Sequence, residues 1–162
     1  GPEGEGVNTV PRHERWQLNF TARDVQSYAR QLDYYEIELG AIGGSIQGVD
    51  AVTNVSASPR VRRIVDTAEE KRLYFMFKTP SVLQQYDKQL LGGAGVNLAG
   101  RTTLKFIPPE LEDYLVTIEM DHARENGRES VAQIAKTVFE SRGTETGYAF
   151  EVVSQRYRKV PR

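Results

Sequence analysis

Apolar residues along this chain recur at two spacings, which together predict a series of strands and helices. Residues 15–20 alternate between polar and apolar side chains, the period of a half-buried strand. Within residues 25–32 the apolar side chains recur every three or four positions, which predicts one buried helical face. Thr21, followed three residues later by Asp24, is typical of a helix start. Residues 37–42 form the next apolar run and predict a second strand.

A second series begins at residues 72–78, where consecutive aromatic and aliphatic side chains predict a central strand with two apolar faces. Residues 79–81 predict a helix start with proline in the first helical position. The glycines within residues 92–95 predict the end of this helix. Residues 102–107 form the following strand, which stops at a pair of prolines.

The two series look like copies of one another. Residues 25–32 and 83–90 share Gln, Tyr, Gln and Leu at matched positions, and each segment lies between two predicted strands. We therefore interpret residues 15–42 and 72–107 as two β-α-β units. Their shared tyrosines, Tyr28 and Tyr86, are then expected at equivalent inward positions.

The rest of the chain adds a helix and a hairpin. Residues 110–121 predict a helix, and residues 148–157 alternate as a strand does. The preceding segment fits either a helix or a strand, and a strand that begins near Ile134 is favoured because a glycine-bounded loop then leads into the last strand. Earlier, residues 51–55 predict a short strand and residues 58–63 a basic loop. The pattern predicts an α+β fold, ferredoxin-like, with duplicated β-α-β units, an added helix and a C-terminal β-hairpin.

Length and composition are those of one globular domain, which we place at residues 15–160. Residues 1–14 are interpreted as a linker or tag remnant, because Gly1-Pro2 resembles the product of protease cleavage and the following residues are rich in glycine. The natural protein is then expected to begin earlier. A net charge of −1 creates no field that favours nucleic acid, and the absence of cysteine excludes disulfides and thiolate chemistry.

Candidate catalytic residues are few. Acidic side chains cluster between Glu110 and Asp121, but acids in the first turn of a helix are commonly explained by the helix dipole and by solvation. Neither His13 nor His122 has the neighbouring ligands that a zinc site requires. We predict no catalytic residue, no cofactor and no metal. The acidic cluster consists of Glu110, Glu112, Asp113, Glu119 and Asp121.

An RNA-binding role is the main alternative in the binding class. Ferredoxin-like RNA-binding domains stack bases on aromatic residues of their central strands, and Trp16, Phe20 and residues 73–77 are aromatic or apolar. The glycine-containing motif of those domains is missing, and the net charge does not favour nucleic acid.

The last predicted strand is the candidate site for a protein partner. Small α+β domains recruit partners by adding a strand at a sheet edge, and residues 148–157 alternate well and end in basic residues. A central position for this strand, with its basic end in solvent, is the opposing possibility. The predicted partner-docking residues are Tyr148, Phe150, Val152, Arg156, Arg158 and Lys159.

Three strings of the sequence, residues 31–40, 72–75 and 106–112, resemble an uncharacterised family of bacterial membrane-anchored proteins. In that family a soluble α+β domain follows a membrane anchor and a flexible linker. The resemblance implies a periplasmic or other extracytoplasmic location, with a cytoplasmic one as the alternative, and it implies no reaction. Any membrane contact would be made by a segment outside this sequence.

We therefore expect a non-enzymatic interaction or assembly domain of a larger, membrane-anchored bacterial protein, with a protein as its partner. The alternative is a ligand- or RNA-binding ferredoxin-like module. A hydrolase that uses the acidic cluster is the third hypothesis, and it requires two carboxylates in a concave pocket.

Overall fold

The computed structural model describes residues 6, 8–58, 60–77 and 80–160, and they divide into two compact units. Unit 1 combines the N-terminal segment up to Thr21 with the segment from Glu110 onward, and unit 2 is Ala22–Pro109. Unit 2 is thus inserted in the sequence between the two segments of unit 1. Each unit joins helices to one β-sheet, so the predicted α+β class is confirmed. We expected one domain from residue 15 to 160, and the sequence did not indicate this division.

The elements follow one another in an order that the sequence pattern largely predicts. In chain order they are α1 (Arg12–Arg15), β1 (Trp16–Asn19), α2 (Val25–Tyr34), β2 (Glu38–Gly43), β3 (Val49–Thr53), β4 (Val61–Val65), β5 (Leu73–Phe77), α3 (Val82–Gly93), β6 (Arg101–Ile107), α4 (Pro109–Glu125), a 3-10 turn (Val131–Gln133), β7 (Ile134–Gly143) and β8 (Tyr148–Tyr157).

The sheet of unit 1 has the strand order β1-β7-β8. Strand β1 runs parallel to β7, with Trp16 opposite Thr137, and β8 returns antiparallel to β7 in a hairpin. Parallel neighbours need a long connection, and here unit 2 and α4 lie between them in the sequence. The predicted strand start at Ile134 and the predicted C-terminal hairpin are confirmed.

Aromatic side chains form the centre of unit 1. The rings of Trp16 and Phe139 meet edge to face with centroids 5.3 Å apart, and those of Phe20 and Phe150 are 5.6 Å apart. Such pairs bury large apolar surfaces in a defined geometry. Helix α4 contributes a stripe of side chains spaced by four residues, all of them buried. The stripe is Leu111, Leu115, Glu119 and Ala123.

The sheet of unit 2 has the strand order β4-β3-β2-β6-β5, and every neighbouring pair is antiparallel. Lys105 of β6 binds Asp87 of α3, which also binds Tyr28 of α2, so both helices belong to the sheet face that carries Lys105. Successive strand residues point to opposite faces. The other face of the sheet carries an apolar cluster. It consists of Val49, Ala51, Val65, Leu104 and Phe106, with Ile42 packed against it.

This strand pairing does not match the predicted duplicated β-α-β units. Strands β1 and β2 belong to different sheets, and β5 and β6 are antiparallel neighbours, whereas the strands of a β-α-β unit are parallel. Tyr28 is fully buried and Tyr86 only half-buried, although their rings lie 5.9 Å apart. Local periodicity predicts where a strand lies but not which strand it pairs with, so the repeated string reflects two similar helices and no repeated unit.

Two further predictions about strands were wrong. Residues 58–63 were expected as a basic loop, but residues 61–63 belong to strand β4. Pro59 lies outside the described residues. Residues 72–78, expected as a central strand, contain the edge strand β5 (Leu73–Phe77), where Tyr74 is 45% exposed and Met76 is 42% exposed. An aromatic-rich strand can lie at an edge when one face is half-buried and the other remains open, as in β5, and periodicity alone does not separate an edge strand from a central one.

The helix starts also differ in detail from those expected. Asp24, rather than Thr21, is the N-cap of α2, where its carboxylate accepts a hydrogen bond from the Ser27 backbone N–H at 2.7 Å. Ser81 caps α3 by accepting from Gln84, and Thr79 lies outside the described residues. Both arrangements satisfy backbone donors that a helix end leaves unpaired.

Leu32 and Leu90 lie on the buried faces of α2 and α3, and both are almost completely shielded from solvent. We expect Leu32→Ala and Leu90→Ala each to lower the free energy of unfolding by ~2–5 kcal/mol, because each change removes buried methyl groups and leaves a cavity. Urea denaturation measures the loss. Val82→Ala is the control, since Val82 of α3 is 68% exposed. Equal effects at Leu90 and Val82 would contradict the assignment of the core.

Candidate functional site

Strand β8, the predicted docking strand, lies at the edge of the unit 1 sheet. It has 10 residues, and β7 is its one neighbour among the described strands. A typical strand has about five or six residues, so β8 offers a long row of backbone donors and acceptors on its outer side. The opposing possibility, a central position between two repeats, does not match this strand order.

The predicted docking residues do not share one environment. Phe150 is 3% exposed, and its backbone carbonyl accepts a hydrogen bond from the Tyr114 hydroxyl of α4 at 2.9 Å. Arg158 donates to the carbonyls of Ala132 and Asn8. Phe150 therefore anchors β8 to its own unit, and Arg158 binds backbone carbonyls of the same unit. The docking role predicted for both residues stays a prediction.

The remaining four predicted residues stay near the surface. Tyr148 and Val152 are half-buried, and Arg156 and Lys159 are exposed. A bulge at Val153 changes the alternation, because Phe139 pairs with Val152 whereas the preceding residue of β7 pairs with Ser154. Val153 is 40% exposed as a result.

A cross-strand ion pair lies on the hairpin surface. The Arg142 guanidinium of β7 contacts the Glu151 carboxylate of β8 at 2.6 Å and the Glu140 carboxylate at 3.1 Å. Arg156 lies near the C-terminal end of β8. None of the ion pairs found among the described residues involves it. Strand β8 therefore carries one acidic residue, Glu151, whose charge is paired within the hairpin, and one basic residue, Arg156, near its C-terminal end.

The five carboxylates of the acidic cluster lie on different faces of α4 and differ in burial. Glu110, Asp113 and Asp121 are exposed, whereas Glu112 is partly buried and contacts Arg12 at 2.7 Å. Glu119 is fully buried. The five carboxylates therefore do not form the concave pair that the hydrolase hypothesis requires.

Glu119 is the most heavily bonded carboxylate of unit 1. Its two oxygens accept from Arg15 at 3.0 and 2.7 Å, in a two-pronged ion pair. One of these oxygens also accepts from the Trp16 indole N–H at 2.9 Å and from the Thr137 hydroxyl at 2.7 Å. Burial of a carboxylate is tolerated when it is paired and its remaining lone pairs are filled, as here.

The two histidines do not converge with other ligands. His13 is 60% exposed and lies 3.7 Å from Glu14, and His122 is half-buried in α4. Across residues 6, 8–58, 60–77 and 80–160, no group of three or more histidine, aspartate or glutamate side chains could hold a metal ion.

Unit 2 contains a buried polar triad that the sequence analysis missed. The Asp87 carboxylate accepts from the Tyr28 hydroxyl at 2.6 Å and from the Lys105 ammonium at 2.7 Å. Burial, together with the adjacent carboxylate, raises the pKa of Tyr28 well above its ordinary value. Burial lowers the pKa of Lys105, although Asp87 opposes the shift. A sequence signal did exist, since Asp87 shares the apolar helical face with Leu90 and Leu91.

A second buried ion pair closes the β2–β3 turn. The Arg101 guanidinium contacts the Asp50 carboxylate at 2.6 Å and also donates to the carbonyls of Ala41 and Gly43. Burial would raise the pKa of Asp50, but hydrogen bonds from Arg101 and Arg62 outweigh it and lower the pKa. The arginine thus replaces the solvent that these carbonyls would otherwise need.

The basic residues near β4 are engaged within unit 2. Arg60 donates to the Val55 carbonyl at 2.7 Å, Arg62 binds Asp50 at 3.0 Å, and Arg63 contacts Glu38 at 2.7 Å. These arginines therefore make structural contacts within unit 2, whereas the sequence predicted only a basic loop.

A cavity of about 250 Å³ lies on the sheet face of unit 2 that carries the apolar cluster. Most of its wall is apolar and comes from five strands, and the β4–β5 connection supplies the polar part of the wall with Thr67 and Glu70. The cavity is partly open to solvent beside Tyr74. Its lining residues are Ile42, Val49, Val65, Thr67, Glu70, Tyr74, Leu104 and Phe106.

Two arginines and two carboxylates neutralise one another beside this cavity. Arg72 binds both Glu38 and Glu70, and its guanidinium lies 4.6 Å from the Phe106 ring centroid. Arg63 completes the set through Glu38. Hydrogen bonds from Arg72 lower the pKa of Glu70 from 4.5 to about 2, against the opposing effect of burial.

Comparison of the chain with protein-family models, with curated proteins and with solved structures found no match. The resemblance to membrane-anchored bacterial proteins therefore stays a prediction. Among the helices of the described ranges, none has the length and apolar character needed to cross a membrane.

We expect Glu119→Gln to lower the free energy of unfolding by about 3–5 kcal/mol, because the buried Arg15 guanidinium loses its counter-charge. Chemical denaturation at neutral pH measures this loss. Glu125→Gln, an exposed position in the last turn of the same helix, should change stability by no more than about 0.5 kcal/mol. Similar values for the two variants would show that the Glu119 network contributes little.

Glu70 should contribute to the pH dependence of stability. Its pKa is lowered in the folded state, so its contribution is full above the ordinary value of 4.5 and is lost as the pH falls toward about 2. We expect Glu70→Gln to cost about 1–3 kcal/mol at pH 7. The gap between wild type and variant should then close across that acidic window in denaturation experiments. Glu69→Gln, at the exposed neighbouring position, is the control, and a gap that is independent of pH would contradict the assignment.

Proposed function

We propose that this chain is a non-enzymatic interaction domain that binds an extended segment of a partner protein along β8. The observation that supports the proposal is the position of β8, a 10-residue strand at the edge of the unit 1 sheet. An extended segment that adds to such an edge gains main-chain hydrogen bonds along its length.

The inner side of β8 is held in place, which leaves the edge ready to accept a strand. Phe150 packs against Phe20, Tyr114 bonds the Phe150 carbonyl, and Gln155 donates to the Glu119 carbonyl at 2.9 Å. These contacts fix the strand before a partner arrives. A preformed edge lowers the ordering cost of association on this side of the complex.

Charge favours a partner segment with an acidic residue near one end. Glu151 is already paired with Arg142, whereas Arg156 and Lys159 present exposed basic groups near the C-terminal end of β8. An acidic residue opposite them would gain a rim ion pair and would fix the register of the added strand. Among the six predicted docking residues, Arg156 and Lys159 are the ones to which the proposal assigns this ion pair.

The larger setting of this proposal is a membrane-anchored bacterial protein with its interaction domain outside the cytoplasm. The support is the sequence resemblance, and the anchor would belong to a segment outside this sequence. The RNA-binding alternative has less support, because Trp16 and Phe20 are buried in unit 1 and do not offer open rings for base stacking. Tyr74 of unit 2 is exposed, whereas Phe75 and Phe77 of the same strand are half-buried.

The test uses peptides selected for binding to the domain from a display library of random extended sequences. We expect enriched peptides to alternate apolar and polar residues, to carry an acidic residue, and to protect backbone amides of β8 in hydrogen exchange. In the free domain, alternate amides of β8 should exchange fast, since a strand edge leaves every second amide unpaired.

Charge reversal provides the matched comparison. Arg156→Glu should weaken peptide binding by roughly 2- to 5-fold, the effect of one exposed ion pair, whereas Arg124→Glu on α4 should leave it unchanged. Slow exchange of every β8 amide in the free domain, or peptide protection confined to other strands, would overturn the proposal.

A further inference from the structure

We propose that the cavity on the apolar face of the unit 2 sheet is a binding site for a small, uncharged aromatic compound. The proposal is separate from partner docking at β8, because the cavity belongs to unit 2 and β8 to unit 1.

The size of the cavity suits a ligand of one or two rings. Its volume is about 250 Å³, and an engineered apolar cavity of about 150 Å³ in another protein already holds benzene. Sites for drug-sized ligands start at roughly 300 Å³, so larger cofactors are disfavoured.

The walls select apolar and planar chemistry. Val49, Val65 and Leu104 provide aliphatic surface, and the rings of Tyr74 and Phe106 lie 6.1 Å apart at an interplanar angle of 57°. Tilted rings of this kind give a planar ligand both an edge and a face to pack against.

The electrostatics favour a neutral ligand. Each carboxylate beside the cavity, Glu38 or Glu70, is bound by Arg72, so neither offers an unneutralised charge to attract an ion. The Glu70–Arg72 contacts are also hydrogen-bonded through both carboxylate oxygens. Transfer of a charged ligand from water to these apolar walls would cost free energy. Because both carboxylates are already paired, no free counter-charge would compensate for that cost. The Thr67 hydroxyl on the lining can serve one polar atom of the ligand.

The floor of the cavity is preformed by the centre of the sheet. Gly40 lies beneath Leu104 and Phe106, and a Cβ atom there would lie 2.9 Å from a carbon of each side chain. The absence of a side chain at Gly40 lets these two residues lie close to the sheet, beside the space that the ligand would fill. Leu104 and Phe106 are themselves 2% and 3% exposed.

The experiment titrates the full chain with indole and follows the methyl signals of valine, leucine and isoleucine by NMR. We expect shifts at Val49, Val65, Leu104 and Ile42, with a dissociation constant on the order of 1 mM or tighter, as suits so small a ligand. Indole-3-acetate and tryptamine, which carry opposite charges on the same ring system, should bind at least several-fold more weakly.

Two tryptophan variants on one connection provide the matched comparison. Thr67→Trp places a ring at the cavity lining and should weaken indole binding at least about ten-fold, whereas Ala68→Trp adds the same side chain at the next exposed position and should change it less than two-fold. Tyr74 lines the cavity and is 45% exposed, so Tyr74→Ala should weaken indole binding several-fold. This variant replaces Thr67→Trp in the comparison if Thr67→Trp folds poorly. The methyl spectrum of each variant reports its folding.

Three results would overturn the proposal: no methyl shift at several millimolar indole, shifts confined to residues outside the cavity, or equal binding by the Thr67 and Ala68 variants. Tighter binding of either charged analogue would overturn the neutral class. Peptides that bind only through β8 leave the indole result unaffected, so failure of the docking proposal and failure of this one are distinguishable.

Discussion

Unit 1 depends on one buried carboxylate. Its two segments are separated in the sequence by the whole of unit 2, and Glu119 on the second segment binds Arg15 and Trp16 on the first. The same carboxylate binds Thr137 of β7, the strand that pairs with β1. A charge in this position is strongly unfavourable unless all of these donors are in place, so the network forms only when helix, strand and N-terminal segment are in register.

Unit 2 follows the same rule with different residues. Asp87 is matched by Lys105, and Asp50 by Arg101, and each pair joins elements that are distant in the sequence. Such pairs contribute less net stability than their short distances suggest, because both charges leave water, but they penalise wrong arrangements severely. One consequence concerns chemistry: a carboxylate saturated by an arginine or lysine has little freedom to exchange protons with a substrate.

Periodicity in the sequence predicted helices α2, α3 and α4 and the terminal hairpin, because each of these depends on neighbours within a few residues. It did not predict the short helix α1, which begins within the segment interpreted as a linker. It did not predict that β1 pairs with β7, since no local pattern in either strand names its partner. The sequence predicted a helix at α4 but not that Glu119 lies on its buried face with Leu111 and Leu115, although the spacing of the three residues places them on one face. A charged residue was assumed to face solvent. The cavity could not be predicted for a related reason. Its lining residues come from five strands, and the order of these strands in the sheet does not follow from local sequence patterns.

Internal rigidity bears directly on how a partner would bind. The charge networks and the aromatic pairs join the elements of each sheet. In the proposed complex β8 would therefore present a preformed edge, and the ordering cost of strand addition would fall on the incoming segment. An extended segment that is disordered beforehand loses much of its interaction free energy on ordering. The bulge at Val153 and the basic end of β8 also interrupt the flat edge on which identical chains could aggregate. Both features disfavour self-assembly through this strand, which agrees with the proposal that its partner is a different chain.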